Sequence, residues 1–392
     1  MKQSRSLFAL VAVVIAVSGC SSTHGLDVRV DQDNYRDAKV AHTSPIAKQE
    51  PLRVWADDDV ELFYDAESGT TPVRVDGDRM SILALSGGGA NGAFGAGVIN
   101  GLYDSGQLAD YSVVTGISAG SLIAPFVFVG GEQIHQLQEV MLGIDDKMVL
   151  GKRNFFNALL KDAFTNGKNM YEFIAEVYSP KMIEQIAEQH RAGRRLLIGT
   201  TQFDSGQLVV WNLGQIANSD LANRDALIHQ VLAASSSIPG VFPPQFINVM
   251  ANGAVMEELH VDGGLSEQMF FQPANVDYRK ISEAQGLTET PQVHVIRNGM
   301  LKMPYSPTKD KGMALLNRSL KSLTIQQSRG DLYRMMYFSE VSDLSLSFTF
   351  IDDDFDGKKT TKAMFDQDYM QALYDYGYNK AVQNTLWAEQ LP

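Results

Sequence analysis

The sequence is poor in cysteine and in positive charge, and both shortages limit what the protein can be. One cysteine among 392 residues excludes an internal disulfide framework and any cysteine-rich zinc or iron–sulfur site. The sequence has 33 basic and 46 acidic residues, and the formal net charge of −13 argues against a protein that binds nucleic-acid phosphates over a broad basic surface. The sequence also lacks an internal repeat and a P-loop lysine. Its hydrophobic content of 44% is ordinary for a globular protein.

The N-terminus has the layout of a secretory signal peptide. Lys2 and Arg5 precede the apolar run Leu7–Val17, and the small residues Ser18 and Gly19 follow it. The run is too short to span a bilayer, which takes roughly 20 residues. The pattern therefore predicts a signal peptide over residues 1–19.

The single cysteine follows directly, in the sequence Val17-Ser18-Gly19-Cys20. This sequence resembles a bacterial lipobox, whose cysteine receives a diacylglycerol before the peptide is cleaved on its N-terminal side. The resemblance implies lipidation of Cys20 and attachment to a membrane of the bacterial cell envelope. Ser21 in place of aspartate resembles the sorting pattern for the outer membrane. A plain signal peptide with an incidental cysteine is the alternative interpretation.

The remaining chain divides by pattern. Residues 20–51 are polar and lack helical or strand periodicity, so we predict a tether. Strands alternating with helices over residues 80–298 predict an α/β domain with a mostly parallel central sheet flanked by helices, and residues 299–392 predict a mainly helical C-terminal extension. The predicted strands are Met80–Leu85, Tyr111–Thr115, Leu196–Thr200, Leu208–Trp211, Leu259–Val261 and Gln292–Arg297, and the main predicted helices are Ala93–Tyr103, Lys181–Ala192, Asn223–Ala234, Lys311–Ser339 and Asp366–Trp387.

A glycine-rich loop separates the first predicted strand from a helix. It reads Ser86-Gly87-Gly88-Gly89-Ala90-Asn91-Gly92 and contains G-x-G-x-x-G at Gly87, Gly89 and Gly92. Backbone without Cβ atoms can present N–H groups to an anion, and the following helix adds its positive end. The loop fits a dinucleotide pyrophosphate, with Asp110 as the acidic partner, and it fits an oxyanion hole. A glycine turn required for tight packing is the structural alternative.

A nucleophile motif follows the second predicted strand. Gly116-Ile117-Ser118-Ala119-Gly120 is a G-x-S-x-G sequence between a strand and an apolar helical stretch, the context of a nucleophile elbow. The flanking glycines leave room for a sharp turn that exposes the Ser118 hydroxyl. We therefore predict that Ser118 is a nucleophile.

A serine nucleophile needs a base, and Asp262 is the candidate. It stands in His260-Val261-Asp262-Gly263-Gly264, at a predicted strand end, where Gly263 and Gly264 allow a close approach. Asp-Gly-Gly is also an ordinary turn signal. We expect His260 to pack behind Asp262 because a residue two positions back along a strand is set back by about 7 Å.

Taken together, these motifs resemble those of the patatin-like phospholipases. Two further stretches support the resemblance: Ala233–Pro244, similar to the family's small-residue segment, and Leu196–Thr201, similar to its central strand. The resemblance covers about Met80 to Asn298.

The resemblance implies a three-layer α/β/α fold and a Ser118–Asp262 dyad without histidine. It implies hydrolysis of a lipid acyl ester without cofactor or metal, with an oxyanion hole at Gly87, Gly88, Gly89 and Gly92. Asn91 departs from the family, which often has Arg or Lys at this position.

Two other functions remain open from the sequence. An α/β-hydrolase triad of Ser118, Asp262 and His294 has the right chain order, although His294 falls within a predicted strand. A non-catalytic nucleotide- or lipid-binding lipoprotein explains the glycine loop but leaves Ser118 and Asp262 without roles. The loop Asp352–Gly357 begins like a calcium loop, but Ala363 occupies its twelfth position, where calcium loops need a bidentate glutamate; we predict a solvated acidic turn.

Overall fold

The computed structural model describes residues 24–41, 50–150, 167–273 and 275–392. The predicted signal peptide and Cys20 lie outside these residues, as do residues 21–23 and 42–49 of the predicted tether. Among the helices that are described, none combines the length and apolar character needed to cross a membrane.

Ten strands and eleven helices are present in the described residues, apart from short 3-10 turns. The strands are β1 (Lys39–Val40), β2 (Arg53–Trp55), β3 (Ser81–Leu85), β4 (Val113–Ile117), β5 (Arg195–Gln202), β6 (Gln207–Asn212), β7 (Gln245–Ala251), β8 (Ala254–Asp262), β9 (Gln292–Ile296) and β10 (Ser345–Thr349). The helices are α1 (Gly92–Asp104), α2 (Ala119–Val129), α3 (Gln133–Gly143), α4 (Asp146–Val149), α5 (Lys168–Val177), α6 (Pro180–Arg191), α7 (Leu213–Ala217), α8 (Arg224–Ser235), α9 (Tyr278–Ala284), α10 (Gly312–Val341) and α11 (Gln367–Val382).

One mixed sheet organises the chain. Its order is β1-β7-β8-β5-β4-β3-β9-β10, and β6 pairs with both β5 and β2 beside this path. The central strands β5, β4, β3, β9 and β10 are parallel, which confirms the predicted parallel sheet flanked by helices. The antiparallel hairpin β7–β8 extends it. The sequence prediction located only the end of β8, because more than half of the hairpin residues are at least partly exposed and its strands lack a continuous apolar run.

The sheet lies between two hydrophobic cores. Side chains alternate along each strand, so in β3 Leu83 and Leu85 join one core while Ile82 and Ala84 join the other. Helices α1, α2, α6 and α8 cover the first face, and α9 and α10 cover the second. Because β3 and β4 are buried along their whole length, they carry near-continuous apolar sequence. The arrangement is the expected α/β/α sandwich.

The predicted polar tether is corrected over residues 24–41. β1 pairs antiparallel with β7, and Val30 and Ala38 are buried against Val249 and Ala251 of that strand. Arg36 forms an ion pair with Asp57 at 2.8 Å. A two-residue strand held by backbone bonds and charges produces no hydrophobic periodicity, so the sequence pattern did not reveal it.

Residues 299–392 are part of the same sheet and the same core. β10 adds a parallel strand beside β9, and α11 packs against α1 across glycines: a Cβ on Gly97 would lie 2.0 Å from the Tyr374 carbonyl oxygen. The two helices predicted in this region are present as α10 and α11, although α11 ends at Val382 and not at Trp387. The sequence prediction did not include β10, and the predicted domain boundary at residue 298 coincides with no break in the structure.

Candidate active site

The turn between β4 and α2 holds Ser118 in a strained conformation. Its φ is +53°, a region that side-chain-bearing residues seldom occupy and that is typical of functional turns. A Cβ on Gly116 would lie 2.6 Å from the Gly120 carbonyl oxygen, and one on Gly120 would lie 2.3 Å from the Leu85 carbonyl oxygen. Both glycines are therefore required sterically, as the G-x-S-x-G pattern predicts.

The Ser118 hydroxyl points at Asp262. Its Oγ donates to Asp262 Oδ2 over 2.7 Å, between residues separated by 144 positions. The second carboxylate oxygen, Oδ1, accepts the Gly264 N–H at 2.7 Å. Gly263 and Gly264 begin the short 3-10 helix Gly263–Leu265 that Asp262 caps, and a Cβ on Gly263 would lie 2.5 Å from the Gly199 carbonyl oxygen. The glycines thus let the aspartate loop approach the serine closely.

Burial makes Asp262 a stronger base than an exposed aspartate. Removal from water raises the pKa of Asp262 to about 6, although the Ser118 hydroxyl and the Gly264 N–H act to lower it. A carboxylate with this pKa is mainly ionised at neutral pH and still has appreciable proton affinity, which suits general-base chemistry.

A serine that the sequence analysis did not single out supports the turn. The Ser118 N–H donates to Ser235 Oγ at 3.0 Å, and the Ser235 hydroxyl donates to the Gly199 carbonyl oxygen at 2.8 Å. Ser235 lies in the small-residue segment Ala233–Pro244. The segment itself was the available signal, since small residues allow α8 to reach the start of α2.

The glycine loop lies beside the serine, and its four glycines differ in geometry. Among the described residues, the Gly88 and Gly89 N–H groups have no protein acceptor, as expected for the first donors of a helix. The Gly87 N–H instead donates to the Gln268 carbonyl oxygen at 3.0 Å, and the Gly92 N–H is bonded inside the turn. These two bonds correct the predicted set of oxyanion-hole residues. Gly87 and Gly92 shape the loop, but their N–H groups are already bonded and are not available to an oxyanion.

A buried polar cluster holds this loop from behind. Arg297 Nη1 donates to the Gly87 carbonyl oxygen at 2.7 Å and to Ser86 Oγ at 3.1 Å. The Asn298 backbone N–H also donates to Ser86 Oγ, at 2.8 Å. A Cβ on Gly88 would lie 2.3 Å from the Asn298 carbonyl oxygen. The sequence patterns did not identify Arg297 and Asn298 as site residues. Arg297 ends a predicted strand and Asn298 follows it, and ligands in parallel sheets bind where strands end, so this position was a usable signal.

An apolar cavity opens beside Ser118 and Gly89. Aliphatic, sulfur-containing and aromatic side chains from several elements form its wall. They are Leu122, Met141, Ile144, Val149, Met170, Phe173, Ile238, Phe242, Met364 and Phe365. Such a wall fits a hydrocarbon chain and offers few polar groups to a charged ligand.

Neither histidine weighed in the sequence analysis contacts the serine. His294 Nδ1 bonds the Tyr111 hydroxyl at 2.9 Å and its ring stacks on Trp387 at 4.2 Å; burial lowers the pKa of His294 to about 4. His260 is fully buried, and its Nδ1 bonds Thr200 Oγ1 at 2.9 Å. The predicted packing role suits His260, and the geometry does not bring His294 into a triad.

Two other predicted features are engaged with neighbouring side chains. Asn91 Oδ1 accepts the Tyr369 hydroxyl at 3.2 Å, so α11 contacts the glycine loop at the position where the family often has a cation. In the acidic loop, Asp352 pairs with Lys380 and Asp353 with Lys302.

Two solved structures that this chain resembles are similar to it at low sequence identity. VipD from Legionella pneumophila is 13% identical, with 88% of this chain and 72% of that chain aligned and a TM-score of 0.39. ExoU of Pseudomonas aeruginosa, in its complex with SpcU, is 18% identical, with 55% of this chain aligned and a TM-score of 0.26. The aligned part spans 48% of the ExoU chain. No curated protein sequence matches at a significant level.

The family comparison gives a direct assignment. The model described as patatin-like phospholipase matches residues 83–275, a range that contains the glycine loop, the Ser118 turn and the Asp262 loop. The chain therefore carries a patatin-like phospholipase domain, which makes it a lipid ester hydrolase of that family.

Proposed function

We propose that the protein is a serine acyl hydrolase of the phospholipase A type, with Ser118 as nucleophile and Asp262 as general base. The observation that carries the proposal is the 2.7 Å hydrogen bond between these two side chains, directly beside the apolar cavity. In this proposal the cavity holds the acyl chain of the lipid.

The reaction has two halves. The Asp262 carboxylate takes the Ser118 proton as Oγ attacks the ester carbonyl, and the Gly88 and Gly89 N–H groups stabilise the oxyanion. Collapse breaks the bond to the leaving alcohol, which takes the proton from Asp262. Water then attacks the acyl-enzyme and gives a proton to Asp262; the fatty acid leaves as Ser118 regains that proton.

A fluorophosphonate probe and defined phospholipids test this assignment. We expect the probe to label Ser118 and mass spectrometry to detect released fatty acid, with both signals lost in Ser118→Ala. Ser105→Ala is the matched control because its hydroxyl donates only to backbone carbonyls of α1, and it should behave as the unmodified chain does. A folded protein that the probe does not label would favour a non-catalytic binding lipoprotein.

Asp262→Asn and His294→Ala separate the dyad from a triad. We expect Asp262→Asn to abolish turnover while the fold is kept, and His294→Ala to retain turnover because its partners are Tyr111 and Trp387. Full activity of Asp262→Asn, or loss of activity in folded His294→Ala, would contradict the dyad.

We also propose that Cys20 is lipidated and attaches the enzyme to the bacterial envelope, with the outer membrane as the expected site. Since residues 24–41 pack on the domain, Cys20 is only four residues before His24, whose ring stacks on Phe246. Four residues span at most about 14 Å, so the acyl chains would begin close to the domain surface. Incorporation of labelled palmitate, lost in Cys20→Ala, with fractionation of the two membranes, tests the anchor.

A further inference from the structure

Helix α10 is much longer than the strands it connects. It has 30 residues, about 45 Å, whereas β9 and β10 have five residues each, about 17 Å. The helix returns the chain from the carboxyl end of β9 to the start of β10, so its excess length lies at its N-terminal end, on the carboxyl side of the sheet. Ser118 follows the carboxyl end of β4 on the same side.

The N-terminal part of α10 projects from the domain. Its first buried residue is Ile325, and every residue from 304 to 324, all of them described, is at least partly exposed. One turn further on, Gln327 holds the helix to the aspartate loop, because its Nε2 donates to the Ser266 carbonyl oxygen at 3.0 Å. The projecting part is therefore held beside the aspartate loop at its C-terminal end.

This projecting part has one apolar side. Met313, Leu316, Leu320 and Leu323 follow the spacing i, i+3, i+7, i+10, which puts them on one helix face, and each is at least half exposed: 68%, 50%, 54% and 66%. No other element among the described residues covers this face. So much exposed apolar surface is unfavourable in water and marks an interaction site.

The first part of α10 and the segment before it carry a net positive charge, opposite in sign to the charge of the whole chain. Residues 302–323 contain five basic residues, Lys302, Lys309, Lys311, Arg318 and Lys321, and one acidic residue, Asp310, a net of +4 in a chain of net −13. Arg318 and Lys321 lie on the helix side away from Leu316 and Leu320. An apolar face backed by a basic face is the pattern of a helix that lies in a membrane interface.

We infer that the first part of α10, residues 312–323, is an interfacial docking helix that, with the basic segment before it, binds the surface of an anionic lipid bilayer and brings the carboxyl side of the sheet against it. The leucines enter the boundary between headgroups and acyl chains, and the basic residues contact anionic headgroups. The consequence for catalysis, delivery of lipid from the bilayer to Ser118, rests on the proposed function; the docking itself does not.

A local fluorescence probe tests docking without interference from the N-terminus. The full chain with Cys20→Ala and Leu320→Cys has one thiol, which can carry an environment-sensitive dye. We expect a blue shift with phosphatidylcholine vesicles that contain about one third phosphatidylglycerol, and its reversal at high salt. The matched control is Glu188→Cys in the same background, on α6 at the opposite face of the sheet, which should not shift.

Charge and leucine variants separate docking from catalysis. Changing Lys309, Lys311 and Lys321 to Gln should weaken vesicle binding by roughly fivefold per charge, whereas the same change at Lys39, Lys181 and Lys362, which are also exposed, should have little effect. Changing Leu316, Leu320 and Leu323 to Ser should lower turnover of vesicle lipid while hydrolysis of a soluble short-chain ester stays unchanged.

Three results would overturn the inference: no shift at position 320, an equal shift with vesicles of phosphatidylcholine alone, or a shift that appears without vesicles as protein concentration rises. The last result would identify a second copy of this chain as the partner. Loss of soluble-ester turnover in Ser118→Ala is measured separately, so failure of the docking helix and failure of the proposed chemistry are distinguishable.

Discussion

Asp262 illustrates how a single residue is tuned by its surroundings. Its carboxylate is buried, accepts one side-chain and one backbone hydrogen bond, and has no cation among these partners. Burial therefore dominates and raises the pKa to about 6. The same environment that makes the group basic also makes its charged form unfavourable in the folded protein.

The pH dependence of turnover follows from this pKa. In the proposed mechanism Asp262 must be ionised to accept the Ser118 proton, so we expect kcat/KM on a soluble ester to fall about tenfold per pH unit below pH 6 and to reach a plateau above pH 7. A stopped assay across pH 4.5–8 measures the profile. An inflection near pH 4, the ordinary range for aspartate, would contradict the role of burial.

The stability of Asp262→Asn should show the cost of that burial. A carboxyl group whose pKa is higher in the folded than in the unfolded state destabilises the fold as pH rises through both values, and a pKa of about 6 against 3.8 corresponds to about 3 kcal/mol at pH 7. We expect asparagine to raise the Tm by several degrees at pH 7. The difference should shrink at pH 4, where Asp262 is protonated; a lower Tm at pH 7 would oppose the interpretation.

At the scale of elements, glycine determines how closely α1 and α11 approach. Gly97 and Gly101 of α1 face backbone carbonyl oxygens of α11, and Gly377 of α11 faces the Phe94 carbonyl oxygen at a distance of 2.4 Å from its hypothetical Cβ. The Tyr374 hydroxyl accepts Asn100 Nδ2 at 2.9 Å. Tyr374 thus adds a side-chain hydrogen bond to the contact between the two helices.

Gly97→Ala tests this contact. The added methyl would lie 2.0 Å from the Tyr374 carbonyl oxygen, so we expect the free energy of unfolding to fall by about 2 kcal/mol, since overpacking outweighs the ~1 kcal/mol that alanine gains in helix propensity. Gly143→Ala is the control, because a Cβ there meets nothing within 4 Å. Equal stability of the two variants in chemical denaturation would contradict the close approach.

At the scale of the whole molecule, the family match ends at residue 275, but the fold does not. Arg297 and Asn298 hold the glycine loop, β10 completes the parallel sheet, and Phe348 and Leu373 are fully buried. We therefore expect a chain that ends after Asn298 to be insoluble or to lack a cooperative thermal transition. A soluble fragment with cooperative melting and esterase activity would show instead that the last 94 residues are a separable extension.

The sequence by itself determined the local chemistry: which serine stands in a glycine-flanked turn, which aspartate precedes two glycines, and which apolar runs form buried strands. These are short-range patterns, set by sterics and by alternation along one strand. The tertiary structure decided what depends on contacts between distant positions. It set the hydrogen bond between Ser118 and Asp262, and it used the Gly87 N–H in a bond to Gln268. It also packed residues 24–41 against β7 and left the start of α10 projecting beside the Asp262 loop. Each of these results depends on where the sheet brings separate segments together, and no local pattern encodes that position.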